Sequence, residues 1–331
     1  MKFVKERVNV ICQELARLSI SQKIKITDMQ VKNGCYITPA EADASKEPWT
    51  SFDTVNDRWY GPDKHYWFRT TITIPESFDG KNLWMRVHAG LDEWDDGRNP
   101  QFLLFANGEV IQGMDINHRE VLVRENAKAG EKIDLQSYTG TLHSEFRLLA
   151  DLEEHDAKIE EIYYDLIVPM QGLNRMDEDN KTRLDLETAL TNTINLLDLR
   201  KPYSKEFYAS IEEAEKCIQE EIYEKMGGWD EVVATCIGHT HIDVAWLWTI
   251  DQVRQKSCRS FATVLKLMDE YPNYHFMSSQ PKLYSFVKER HPEVYEKIRQ
   301  RVKEGRWEPE GGMWVEADCN LTSGESLVRQ F

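Results

Sequence analysis

The chain has 331 residues, 41% of them hydrophobic and 30% charged, which is the composition of a folded protein and enough length for two or three domains. A formal net charge of −16 argues against a surface built for nucleic acid or for an anionic membrane, both of which need a basic face, and a neutral substrate fits it better. The six cysteines (Cys12, Cys35, Cys217, Cys236, Cys258, Cys319) are scattered with no Cys-x-x-Cys pair, the N-terminus has no unbroken apolar stretch of the signal-peptide kind, and no run approaches a membrane span. The expectation is a reduced, cytoplasmic chain; a homo-oligomer is compatible with it.

Residues 1–19 predict an amphipathic helix, with Phe3, Val4, Val8, Ile11, Leu15 and Leu18 on one face, packing on a neighbouring domain rather than on a membrane. Residues 20–37 are strand-like, with Asn33-Gly34 as a turn signal. From Trp49 to Val168 the pattern is mostly β: strands are expected over 66–75, 82–89, 102–106, 109–112, 145–150 and 157–168. Short strands with turns between them indicate a β-sandwich over residues 46–168, of jelly-roll or galactose-binding-like type, after an N-terminal segment 1–45. Trp59, Tyr60 and Trp94 are either a sugar platform or core packing, and packing is the better reading of aromatics in strands. Residues 169–228 carry two acidic helical patterns ending at Gly227-Gly228 and read as a helical linker.

Over residues 229–331 the rhythm becomes strand–helix–strand, which argues for parallel strands with ligands at their carboxyl ends. Val232-Val233-Ala234-Thr235-Cys236-Ile237 reads as a buried strand, and His239, His241 and Asp243 follow it at alternate positions, a plausible divalent-metal set. Trp246 and Trp248 come next, flat faces that suit a sugar ring. Asp318 falls at the end of a third strand and can complete three ligands. Zinc needs a fourth: His275 lies at the wrong end of its strand and His291 in a helix. Three βα units do not close a barrel, so the chain reads as the front part of a longer polypeptide.

Gly238-His239-Thr240-His241-Ile242-Asp243-Val244-Ala245-Trp246-Leu247-Trp248 resembles the first signature of the family 38 glycoside hydrolases, the class II α-mannosidases. Glu310-Gly311-Gly312-Met313-Trp314-Val315-Glu316-Ala317-Asp318-Cys319-Asn320 resembles the second, and residues 324–331 extend the match. The β-rich region, including residues 112–120, is similar to the N-terminal sandwich of the long intracellular members.

The resemblance implies a truncated (β/α) barrel with Zn2+ held by His241, Asp243 and Asp318. It makes Asp318 the nucleophile too, stacks Trp246 on the sugar, and puts His239 outside the ligand set. The fourth ligand, a histidine, and the general acid, an aspartate, would lie downstream, leaving the fragment inactive alone. The implied reaction is retaining hydrolysis of terminal α-mannosyl residues of oligosaccharides, with nucleophile and acid about 5–5.5 Å apart. Two other readings stand beside it: another metal-dependent carbohydrate hydrolase such as a deacetylase, and a carbohydrate-binding module with a degenerate, non-catalytic barrel.

Overall fold

The computed structural model describes residues 3–61, 64–90, 100–140, 145–227, 234–246 and 248–331. In chain order the elements are α1 (Val4–Leu18), β1 (Ile20–Lys25), β2 (Asp28–Asn33), α2 (Pro39–Ala44), β3 (Thr50–Asp53), β4 (Trp59–Tyr60), β5 (His65–Thr73), β6 (Leu83–His88), β7 (Phe102–Ala106), β8 (Glu109–Met114), β9 (Glu120–Arg124), β10 (Lys132–Gly140), β11 (Glu145–Phe146) and β12 (Leu149–His155). They continue with α3 (Ala157–Leu173), α4 (Lys181–Leu196), α5 (Lys205–Ile218), β13 (Gly238–His239), α6 (Ile250–Glu270), β14 (Phe276–Met277), α7 (Pro281–Arg290), α8 (Pro292–Lys303), β15 (Trp307–Glu308) and α9 (Gly324–Val328). Two compact units result: residues 1–23 with 153–234, and residues 24–152 with 235–331. This grouping cuts across the consecutive segments 1–45, 46–168, 169–228 and 229–331, because segments distant in sequence share a core.

The first unit is helical. Val8, Cys12 and Leu15 of α1 meet Ile162 and Leu166 of α3, Leu190 of α4 and Ile211 of α5 in one apolar cluster. Burial pushes the Cys12 thiol up to about 11, so it packs as a small apolar group. Phe3, expected on the buried face of α1, is instead 67% exposed at the residue before the helix. Residues 157–168, expected as a strand, lie in α3. The Asp156 carboxylate caps that helix by accepting from the Lys158 and Ile159 N–H groups, and Ile159, Ile162, Leu166, Met170 and Leu173 recur at helical spacing. The β-prone run Ile162-Tyr163-Tyr164 suggested the strand, and packing of the helical stripe overrides that propensity.

The second unit is built on a six-stranded sheet ordered β3-β2-β5-β10-β7-β8, in which β7 is buried on both faces. Side chains alternate along β7: Phe102, Leu104 and Ala106 enter one core, Leu103 and Phe105 the other. The first core is shared with a four-stranded sheet ordered β1-β12-β6-β9, through Leu83, Met85 and Val87 of β6 and Val121 of β9. The second takes in Val253, Phe261 and Leu265 of α6, Phe276 of β14 and Trp307 of β15. Trp59 belongs to the first core, 2% exposed, its indole N–H donating to the Arg147 carbonyl at 3.0 Å, so it packs rather than forming a platform. Tyr60 is 63% exposed, and Trp94 lies outside the described residues.

β13, β14 and β15 form a parallel sheet in sequence order, pairing Gly238 with Phe276 and Phe276 with Trp307, as the strand–helix alternation predicts. Thr249 and Gln252 form a reciprocal capping box at the start of α6, and the helix break expected at His291-Pro292 separates α7 from α8. Of the strand expected over 232–237, the described residues 234–237 lie outside β13. Ala234, Thr235, Cys236 and Ile237 are unpaired and exposed, while Val232 and Val233 lie outside the described residues. Among the described residues β13 pairs only with β14. No helix of the described residues is long and apolar enough to cross a membrane, and none of the six cysteines is in a disulfide.

Contact between β8 and α6 requires Gly113: a Cβ there would stand 2.5 Å from the Arg259 carbonyl oxygen, while the Thr263 hydroxyl donates to the Gly113 carbonyl at 2.9 Å. Gly113→Ala is therefore expected to destabilise the protein by about 1–3 kcal/mol. Urea midpoints check this, and an unchanged midpoint would show that α6 does not seat against β8.

Candidate functional site

Because β13, β14 and β15 are parallel, the chain leaves their carboxyl ends on one edge of the sheet. Three connections begin there: residues 240–249, the short link 278–280, and residues 309–323. These connections carry His241, Asp243, Trp246, Trp248 and Asp318, while His239 ends β13.

His241 Nε2 stands 3.2 Å from Asp243 Oδ1, and both side chains are open to solvent. Two zinc ligands at 2.0–2.1 Å from a tetrahedral ion stand about 3.3 Å apart, so this pair has the separation that a shared ion requires. The other ring nitrogen, Nδ1, faces Glu316 Oε2 at 3.6 Å. A carboxylate on the far nitrogen is the usual neighbour of a metal-binding imidazole, fixing tautomer and ring orientation. Asp318 does not join the pair. Its Oδ1 accepts the N–H groups of Asn320 (2.7 Å) and Leu321 (3.4 Å), turning the carboxylate into its own loop. No group of three His, Cys, Asp or Glu side chains able to hold a metal occurs among the described residues. The residues present thus fit half of a zinc site.

His239 Nδ1 donates to the Met277 carbonyl at 3.0 Å, which ties β13 to the end of β14. Trp246 is 70% exposed and meets Trp248 edge-on, with ring centroids 5.8 Å apart. The Trp248 indole N–H donates to the Asp243 carbonyl at 2.8 Å, so one tryptophan anchors the loop and the other is presented. Ala245 and Trp246 have φ of 78° and 69°, two successive non-glycine residues in the left-handed region. His275 precedes β14 and His291 is buried at the α7–α8 break, both away from the carboxyl edge.

Two participants did not emerge from the sequence reading, Glu316 and Gln280. Gln280 is 4% exposed; its Nε2 donates to the Ile242 carbonyl at 2.9 Å and its Oε1 accepts the Glu316 N–H at 3.3 Å. The available signal was a polar residue just past the carboxyl end of the middle parallel strand, where ligand-handling groups collect.

A cavity of about 350 Å³ borders this edge within the second unit, lined by His239, Thr240 and His241, by Lys256 and Arg259 of α6, and by Asp115 and His118 after β8. Asp115 Oδ1 accepts from the N–H groups of Asn117 and His118 and lies 3.0 Å from His118 Nδ1. The hydrogen bond to Asp115 holds His118 above the ordinary imidazole range in spite of burial. Burial pushes the Asp115 carboxyl up, but the bond and charge of His118 with the two backbone N–H groups outweigh it and hold it below the usual range.

Residues 231–331 match the family model described as "Glycosyl hydrolases family 38 N-terminal domain", so the resemblance carried by the two motifs holds for that segment. Alpha-mannosidase G of Dictyostelium discoideum is 31% identical over 306 residues, 84% of this chain and 26% of the relative. Alpha-mannosidase 2C1 of Homo sapiens is 28% identical over 287 residues, 80% of this chain and 26% of the relative. Alpha-mannosidase of Saccharomyces cerevisiae is 37% identical over 135 residues, 40% of this chain and 12% of the relative. The chain spans about a quarter of the length of the first two.

Two outcomes are expected. Raised in the folded state, His118 stabilises fully below an unfolded value of about 6.5 and loses that contribution as pH rises through its raised value; lowered, Asp115 contributes above about pH 3.9 and loses it as pH falls through its lowered value. His118→Gln should therefore lower the urea midpoint at about pH 5.5, with the gap to the parent narrowing as pH rises toward about 9; a gap constant over that range would contradict the pairing. Ala245→Gly should raise stability by up to about 1 kcal/mol by relieving a left-handed residue, read as a higher melting temperature.

Proposed function

We propose that this chain, whose residues 231–331 belong to glycosyl hydrolase family 38, forms part of a zinc-dependent retaining α-mannosidase acting on terminal α-mannosyl residues of oligosaccharides. The observation that carries the reading is the His241–Asp243 pair, 3.2 Å apart inside the family segment, on the sheet edge from which the Asp318 connection also leaves. In this reading the parallel strands open a (β/α) barrel, and the two sheets around the first core are the galactose-binding-like sandwich of the long members. A cytoplasmic location accords with six cysteines of which none is in a disulfide.

His241, Asp243 and Asp318 are the residues proposed to hold zinc, with a fourth ligand that no residue of this chain is assigned to. The Asp318 Oδ1 atom is engaged by the N–H groups of Asn320 and Leu321, which leaves Oδ2 as its ligand atom in this reading. When bound, the ion supplies positive charge beside the sugar hydroxyls. The chain's own residues do the remaining work. The Asp318 carboxylate forms a bond to the anomeric carbon as the bond to the leaving oxygen breaks, and that oxygen takes a proton from a general acid not assigned here. Water then hydrolyses the glycosyl ester, releasing mannose with its configuration retained and Asp318 restored. Trp246, held out by its left-handed backbone, offers an indole face to the apolar side of the ring. Glu316 faces the far nitrogen of His241 at 3.6 Å, where its carboxylate would orient the ring once Nε2 turns from Asp243 to the ion.

The isolated chain is expected to show no hydrolysis, because the general acid and fourth ligand are not assigned to it. The intact protein containing this chain is expected to hydrolyse an aryl α-mannoside and to lose that activity to a chelator, with recovery on adding Zn2+. Asp318→Asn should reduce kcat by more than about 10³-fold with an unchanged melting temperature. Full activity in that variant would overturn the assignment of the nucleophile. Sugar binding without bond cleavage in the parent protein would instead select a non-catalytic carbohydrate-binding role, and acetate release without cleavage a deacetylase.

A further inference from the structure

Gln280 occupies the position just before the first turn of α7, where Ser, Thr, Asp or Asn usually caps the helix by accepting from an N–H group of the first turn. Its side chain makes no such bond. The Lys282 N–H donates to the Trp314 carbonyl instead, at 3.1 Å, so a loop of another strand covers that helix start. This leaves the carboxamide free to reach sideways. Both of its ends are used, Nε2 on the Ile242 carbonyl and Oε1 on the Glu316 N–H, in surroundings closed to water.

Ile242 sits between His241 and Asp243, and Glu316 lies two residues before Asp318. One side chain thus bonds the backbones of both connections that carry the proposed ligands and nucleophile. The link has a definite length: a glutamine in place of water or a longer side chain sets how far Ile242 stands from Glu316. Close approach is completed by Gly311, where φ is 132° and an added Cβ would fall 2.4 Å from the Ser279 carbonyl oxygen. On the far side Gln330 holds the same loop, accepting the Trp314 and Val315 N–H groups at 2.7 and 2.9 Å.

We infer that Gln280 is a positioning residue: its buried carboxamide sets the spacing between the His241–Asp243 loop and the Glu316–Asp318 loop, and so between the proposed metal ligands and nucleophile. The inference concerns the active site proposed above and rests on that reading for its catalytic consequence, but not for the link between the loops. Asparagine is one methylene too short to reach both backbones. Methionine fills the volume and bonds neither. Ionised, glutamate accepts from Glu316 N–H but repels the Ile242 carbonyl, and protonated it donates to Ile242 as well.

The test uses Gln280→Met, Gln280→Asn and Gln280→Glu in the intact protein. Amide hydrogen exchange of the peptide containing Glu316 is one readout, and kcat and KM for an aryl α-mannoside, across pH, the other. Gln280→Met and Gln280→Asn should speed exchange at Glu316 and lower kcat about 10–100-fold with KM changed far less, the scale seen when a group supporting metal ligands is lost. Gln280→Glu should keep Glu316 protected and recover kcat relative to the parent as pH falls and the carboxyl protonates. Unchanged exchange at Glu316 with kcat within twofold in a Gln280→Met protein that melts like the parent would overturn the inference. So would a uniform loss in Gln280→Glu at every pH. A parent protein without mannosidase activity refutes the proposed function instead, and the exchange measurement then still decides whether Gln280 couples the loops.

Discussion

The second unit depends on a strand that has no solvent face. Phe102, Leu104 and Ala106 point one way along β7 and Leu103 and Phe105 the other, so both sides must be covered. The four-stranded sheet covers one side. The other is covered by α6, which reaches the sheet at Gly113 because no side chain stands between the two backbones there. α6 also supplies Phe261, which meets Trp307 at 5.2 Å between ring centroids, so the same helix seats the parallel sheet. Strand order and helix placement are thereby coupled: the edge that carries the candidate site is held in position by a core that the antiparallel strands help to make.

On that edge the polar contacts run across strands rather than along them. His239 bonds Met277, Gln280 bonds Ile242 and Glu316, and the Trp314 carbonyl serves the start of α7. These are local bonds in partly closed surroundings, where an unpartnered amide would cost about 1–3 kcal/mol. They give loops without regular structure a definite shape. Asp318 is the exception in this arrangement, bonded into its own turn, while His241 and Asp243 are already at ligand spacing. The connection after β13 thus carries two side chains 3.2 Å apart, while the carboxylate after β15 is held in its own turn.

Much of the fold was legible in the amino-acid pattern. The helix of residues 4–18, the strand over 102–106 and the parallel strands of the strand–helix alternation after residue 229 could all be read from residue order. Residues 157–168 misled, since β-branched and aromatic side chains favour strands locally, whereas the spacing of Ile159, Ile162 and Leu166 is satisfied only by packing against α1 and its neighbours. The apolar run before Gly238 misled differently: hydrophobicity shows that a segment needs cover without showing what covers it. In the candidate site, His241 and Asp243 were found because alternate residues share a face at a strand end. Glu316 and Gln280 were not, because their role comes from distances between chain segments 36 to 75 residues apart.

By itself the sequence determined the chemistry available: imidazole, carboxylate and indole groups grouped at two motifs, with parallel strands to bring those motifs to one edge. Tertiary structure decided which of those groups meet. His241 and Asp243 stand two residues apart just beyond a strand end, so their proximity could be read from residue order. The meeting of His241 with Glu316, the bridging by Gln280 and the inward turn of Asp318 depend on side-chain torsions and on the separation of loops from different strands. Those quantities are set by packing of the whole sheet and its helices, which no local pattern contains.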